Sequence, residues 1–261
     1  MIPQAYITAW GQHVPWQTPE QIEQDLVICR ALVQIFADPL LAASLAFRGG
    51  TALNKLYLQP QPRYSEDIDL VQITAGPFGP LIDRLRDVLD FLGRPQIKSK
   101  NNNTTLVFKF ESESPPVQTL RLKVETNCRE HFSALGWHYA DFAVDSEWYQ
   151  GRCQLTTYHL AELLGTKLRA LYQRRKGRDL FDLHRALTTT DVDPAQIVVC
   201  FQQYMAAEES TVSQQQFLDN LTDKMENAGF LGDTTALLRP VEAYNPQQAY
   251  VLVRDQLLSL L

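Results

Sequence analysis

The residues best suited to chemistry in this chain fall between positions 47 and 71, FRGGTALNKLYLQPQPRYSEDIDLV. Asp67 and Asp69 stand two apart in a segment, DIDLV, in which acidic and apolar residues alternate. On a strand that alternation puts both carboxylates on one face and turns Ile68 and Leu70 toward a core. Two carboxylates so placed repel, and a divalent cation that prefers hard oxygen ligands, Mg²⁺ by default, relieves the repulsion. Upstream, Gly49 and Gly50 lack a β-carbon, so the backbone can turn sharply and come close to a ligand before Thr51 opens a helix. The free amides and positive dipole end of that helix favour a phosphate, and Arg63 and Ser65 lie between the two features as further phosphate partners. A glycine pair before a helix is more often a plain tight turn, and a lone DxD more often a solvated strand end. Together in one helix, turn and strand they favour a site for a nucleoside triphosphate and its metal.

These residues need elements to hold them. Helical spacing of Ala52, Leu53, Leu56 and Tyr57 continues the glycine turn to about residue 58. A preceding helix is expected after Thr18 and Pro19, with Ile22, Leu26, Cys29, Leu32, Val33 and Phe36 inward, interrupted at Asp38 and Pro39. Residues up to about 18 carry little periodicity and read as an arm. Beyond the aspartates, 81–92 has helical spacing ending at Gly93, and 104–110 and 117–126 alternate as strands. Glu125 shares its strand face with Arg121 and Lys123, where a solvated surface charge is the ordinary reading. An aromatic-rich connector is expected over 137–154, and helical pattern dominates after a lobe boundary near 150.

In that helical half, Lys167 falls on the apolar stripe marked by Leu160, Leu164 and Leu171. An ammonium there must reach water or an anion; the functional reading has it pair with a triphosphate in the cleft. The run 174–179, RRKGRD, with Arg169 and Arg185 nearby, is the densest positive charge in the chain, either a solvated face or a phosphate-facing patch. Asp179 and Asp182 open the next helix, where a first-turn Asp is often a cap or dipole partner.

The pattern RGGTALNKLY followed by RYSEDIDL resembles the AbiEii/MenT group of nucleotidyltransferase toxins, a branch of the polymerase-β-like nucleotidyltransferase superfamily. The chain departs from many superfamily members in a longer interval from Gly50 to Asp67 and in Gly-Thr where Gly-Ser is commoner. The resemblance implies an α/β (α+β) fold, with a mixed-sheet nucleotidyltransferase core and a helical C-terminal lobe completing the cleft. It implies Mg²⁺-dependent transfer of NMP from an NTP to an acceptor hydroxyl, with RNA, particularly a tRNA 3′ end, as acceptor and an antitoxin as partner. It makes Asp67, Asp69 and Glu125 the metal and catalytic carboxylates. It assigns functional roles to Lys167 and Asp179 through the downstream segment KLRAL…RRKGRDLFDL, with Gly49, Gly50, Thr51, Arg63, Ser65, Lys167 and Arg178 on the nucleotide.

With 261 residues and 45% hydrophobic content the chain can bury a large core, read as a catalytic core over 1–150 and a helical lobe over 151–261. A net charge of −6 excludes a generally basic, nucleic-acid-coating protein, so any RNA must meet a local patch. The four cysteines contain no CxxC, which argues against a zinc ribbon or disulfide scaffold and for a reducing, cytoplasmic setting. No uninterrupted apolar run approaches membrane-spanning length. The rival readings are an NTP-sensing or antitoxin-binding protein without turnover, and transfer to a small molecule or a protein.

Overall fold

The computed structural model describes residues 2–100 and 103–261 and divides into two compact units. One runs to Phe132 and resumes over Trp137–Tyr158; the other comprises Ser133–Gly136 and His159–Leu261.

The first unit contains, in order, α1 (Gln4–Trp10), α2 (Pro19–Ala37), α3 (Pro39–Ser44), β1 (Leu45–Arg48), α4 (Gly49–Leu56), β2 (Asp67–Gln72), α5 (Gly79–Val88), β3 (Gln96–Lys100), β4 (Asn103–Glu111), β5 (Thr119–Asn127), β6 (Trp137–Asp145) and β7 (Gln150–Tyr158). The strands form one mixed sheet in the order β3-β4-β5-β2-β1-β7-β6. β2 runs parallel to β5 and antiparallel to β1, and β1 runs parallel to β7. This is the mixed-sheet α/β core expected from the sequence. The core face carries Phe47, Ile68, Leu70, Leu106, Phe108, Leu122 and Val124, all buried, so the alternation that buries Ile68 and Leu70 aims Asp67 and Asp69 the other way.

Local signals explain the helices. α2 starts where Thr18 accepts the Gln21 amide with Pro19 in the first turn, and it ends at Asp38. The Asp38 carboxylate then caps α3 through the amides of Leu40 and Leu41, at 3.1 and 3.0 Å. The segment expected to be an irregular arm contains α1. Its anchor is partly apolar, through the buried Ile2 and Ile7, and partly polar: the Trp10 and Trp16 indoles each donate to the Asp25 carboxylate at 3.1 Å, a link that hydrophobic periodicity does not register. The same buried carboxylate holds Lys55 of α4 at 2.8 Å, tying the glycine helix to α2.

The expected connector over 137–154 contains most of the β6–β7 hairpin instead. Both of its faces are partly exposed along much of its length, so no clean apolar alternation marks it. β7 continues past residue 150 to Tyr158, pairing Thr157 with Phe47 of β1. β3 carries no strand signal in the sequence, because QIKSK is exposed at every position.

The second unit is helical: α6 (Leu160–Gln173), α7 (Gly177–Thr189), α8 (Pro194–Ala207), α9 (Gln214–Met225), α10 (Ala228–Gly232) and α11 (Pro246–Gln256). A β-carbon on Gly165 of α6 would sit 2.6 Å from the Cys200 β-carbon of α8, so glycine is what lets these helices close. Among the described residues no helix is long and apolar enough to cross a membrane.

Candidate active site

Asp67 and Asp69 stand at the start of β2, which the register places between Arg48 of β1 and the β5 pair Lys123 and Glu125: Asp69 lies opposite Arg48 and beside Glu125, Asp67 beside Lys123. The shared face is confirmed by contact, since the Lys123 ammonium lies 3.3 Å from the Asp67 carboxylate. Both side chains are about a third exposed, at 30% and 35%, so the pair meets solvent and a ligand could reach it. Glu125 Oε1 accepts from Asn103 Nδ2 at 3.2 Å, which orients the third carboxylate from β4.

Gly49 is locked to this arrangement. Its φ of +80° is in the left-handed region, and a β-carbon there would lie 2.1 Å from Asp69 Oδ2. The backbone of the glycine turn therefore presses against the carboxylate of Asp69. Gly49→Ala is expected to add roughly 1–2 kcal/mol of backbone strain and to displace that carboxylate, slowing catalysis at least about tenfold. Steady-state turnover beside a thermal melt tests this, and unchanged turnover would overturn it.

Thr51, Ser65 and Arg63 bond to the chain itself in this structure. Thr51 is buried; its hydroxyl donates to the Asp67 carbonyl and lies 2.8 Å from the Ser65 hydroxyl, so the two fix the entry to β2. Asn54 bonds the Gly50 carbonyl at 2.8 Å and holds the turn. Arg63, expected at a phosphate, is buried with its guanidinium on the Tyr64 carbonyl at 3.0 Å. Lys123 and Asn103 were not singled out from the sequence. Lys123 was legible only as a same-face neighbour of Glu125, and Asn103 depends on the β4–β5 register.

Among the described residues no group of three or more His, Cys, Asp or Glu side chains is gathered to hold a metal. The donor set nevertheless fits Mg²⁺ arriving with a nucleotide, because that ion is usually held by one or two carboxylates, with waters and substrate phosphates completing its shell. Asp67 and Asp69 would be the two hard-oxygen donors, and Gly49 leaves Asp69 the room it occupies.

In the second unit Lys167 is buried, and its ammonium lies 3.1 Å from Asp179 and 3.0 Å from Asp182, both fully buried. Arg174 adds a two-point contact to Asp179 at 2.7 and 2.8 Å. Lys167 and Asp179 are thus brought together, and the anions on Lys167 are the chain's own where the sequence reading puts a triphosphate. Burial by itself would raise the pKa of Asp179; the charges of Lys167 and Arg174 outweigh it and bring it down to about 2 from the ordinary 3.8. A depressed carboxylate pKa stabilises the fold above the unfolded value and loses that contribution as pH falls. Unfolding free energy should therefore drop by roughly 2 kcal/mol on this account between about pH 4 and 2. Asp179→Asn should show a correspondingly shallower acid slope in urea titrations, and equal slopes would overturn the assignment.

The basic run is not a free patch. Arg174 pairs with Asp179, Arg175 with Asp223, Lys176 and Arg178 with Asp233, Arg169 with Glu208, and Arg185 with Glu242. Apart from Asp179, which closes the run itself, the acidic partners are distant in sequence, so inspection of the run alone could not reveal most of the pairing.

The family model for the nucleotidyl transferase AbiEii toxin of type IV toxin–antitoxin systems matches residues 30–250. No protein of curated function matches the chain in sequence. Among solved structures, MenT4, a nucleotidyltransferase toxin of Mycobacterium tuberculosis, superposes with a TM-score of 0.63 at 16% identity, covering 100% of this chain and 91% of its own. An H. pylori protein assigned as a nucleotidyltransferase superposes with a TM-score of 0.56 at 17% identity, covering 94% and 99%. At these identities the structural likeness speaks to the fold.

Proposed function

We propose, for a chain that belongs to the AbiEii family of nucleotidyl transferase toxins and is a nucleotidyltransferase, that Asp67 and Asp69 hold Mg²⁺ with an NTP and that the NMP passes to an RNA hydroxyl, a tRNA 3′ end being the expected acceptor. The observation that carries this reading is the same-face pair Asp67 and Asp69 at the head of β2, with the Gly49 backbone packed on Asp69. The acceptor oxygen bonds to the α-phosphorus, the bond from that phosphorus to the bridging oxygen breaks, and pyrophosphate leaves. Glu125, beside Asp69, orients the acceptor hydroxyl and takes its proton. The amides opening α4 meet the phosphates. The metal, when bound, neutralises charge on the phosphate oxygens.

Thr51 and Ser65 act on this site by fixing the start of β2. Lys167 and Asp179 are read as an ion pair on which the helical unit depends. A cytoplasmic setting, where NTPs and tRNA meet, and neutralisation by a cognate antitoxin complete the proposal. Incubation with each α-labelled NTP, Mg²⁺ and bulk tRNA is expected to label RNA and release pyrophosphate, both stopped by EDTA. Pyrophosphate release without labelled RNA would move the acceptor to another class. NTP binding without release would make the protein a sensor.

A further inference from the structure

The sheet face that bears Asp67 and Asp69 continues across β5, β4 and β3, and its composition changes there from acidic to basic. Alternation along β5 puts Arg121, Lys123 and Glu125 on that face. Register then adds Lys109 of β4, opposite Arg121, with the exposed Glu111 beyond it at the end of β4; Thr105, opposite Glu125; Lys98 of β3, opposite Thr105; and Lys100, opposite Asn103. Lys98, Lys100, Lys109 and Arg121 are all exposed, and among the described residues none of them pairs with a carboxylate. In a chain of net charge −6, whose other basic run is neutralised by its own carboxylates, this is a concentration of unpaired cations directly beside the acid pair.

We propose that this face of β3, β4 and β5 is the track for the phosphate backbone of the acceptor RNA, delivering its 3′ end to Asp67 and Asp69; the inference rests on the reading of RNA as acceptor. Neighbouring strands lie about 4.8 Å apart and alternate residues about 6.7 Å apart along a strand, so the cations form a grid on the scale of successive phosphates in a single strand. The residues between them, Asn103, Thr105 and Asn127, are polar, and the one apolar side chain on this stretch, Val107, is buried. A protein partner would want an apolar or aromatic centre depleted of charge, and this face has the reverse. It also lacks an aromatic platform for stacking bases, so contact is to phosphate and is indifferent to base identity along the track.

The test is the affinity of a fluorescein-labelled single-stranded RNA with a free 3′ hydroxyl, measured by anisotropy across a salt series, for the wild type and for Lys98→Gln/Lys109→Gln/Arg121→Gln. Removing three phosphate contacts should lower the slope of log affinity against log salt by about 2, at about 0.7 per contact on a single strand, with the KM for NTP unchanged. A second variant, Lys98→Arg/Lys109→Arg, should keep the wild-type slope, and circular dichroism should show both variants folded. If the wild type binds RNA and the Gln variant keeps its slope, RNA lies elsewhere and the track is wrong while the acceptor reading stands. Wild-type protein that binds no RNA overturns both. Poly-glutamate bound with the same loss of slope, while RNA affinity is untouched, would assign the face to an acidic protein and overturn the proposal.

Discussion

Asp67→Asn and Asp69→Asn are each expected to lower turnover by at least about 10²-fold, about 2.7 kcal/mol of lost transition-state stabilisation, while the protein still folds. Each substitution keeps the size and shape of the side chain and removes the charge that a divalent cation requires. The structure indicates why stability should survive. The Asp67 partner, Lys123, sits 3.3 Å away with 30% of its side chain exposed, and an ion pair that open to water contributes at most about 1 kcal/mol. Asn at 69 still fits against Gly49, whose missing β-carbon provides the space. The measurements are NMP transfer at saturating NTP and the melting temperature of each variant. Native turnover in one of them removes that aspartate from the chemistry, and loss of folding in both makes the carboxylates structural.

Lys167→Met should lower stability by about 3–5 kcal/mol, the usual cost of removing one partner from a buried ion pair, or roughly 10 °C in melting temperature for a chain of this size. The sequence suggests the opposite: on an apolar helix face, exchanging a desolvated ammonium for a thioether stem would leave the protein as stable or more so. The partners reverse the sign. Asp179 and Asp182 are fully buried and lie 3.1 and 3.0 Å from the ammonium, so the variant leaves both carboxylates short of a cation in a low-dielectric interior. Asp179 keeps Arg174, while Asp182 loses the ammonium that lies 3.0 Å from it. Adding Asp182→Asn to Lys167→Met should therefore recover part of the loss. A melting temperature at or above wild type in the single variant would show that the ammonium does not stabilise this cluster.

The helix, turn and strand around Asp67 and Asp69 were legible because local chemistry writes them: glycines where a backbone must turn left-handed, proline and threonine where a helix starts, and period-two alternation where a strand is buried on one face only. Where both faces of a strand are partly wet, as in much of β6 and in β3, or where a helix such as α1 is held in part by indoles on a distant carboxylate, that signal is absent. Charge was the least legible property. The run at 174–179 stands out in sequence yet is paired with its own acids, whereas Lys98, Lys109 and Arg121 are scattered in sequence and become neighbours only through strand pairing.

By itself the sequence determined the family and the same-face pair of acids, because each rests on a motif contained in one segment, and the mixed α/β core followed from the family. Only the tertiary structure decided what each charge faces. It set Lys123 beside Asp67 and Glu125 beside Asp69 through the parallel β2–β5 register, closed Gly49 onto Asp69, and enclosed Lys167 between two aspartates. An ion pair depends on a separation of a few ångströms between side chains that can be dozens of residues apart, so its strength and sign are properties of the fold, and composition carries neither.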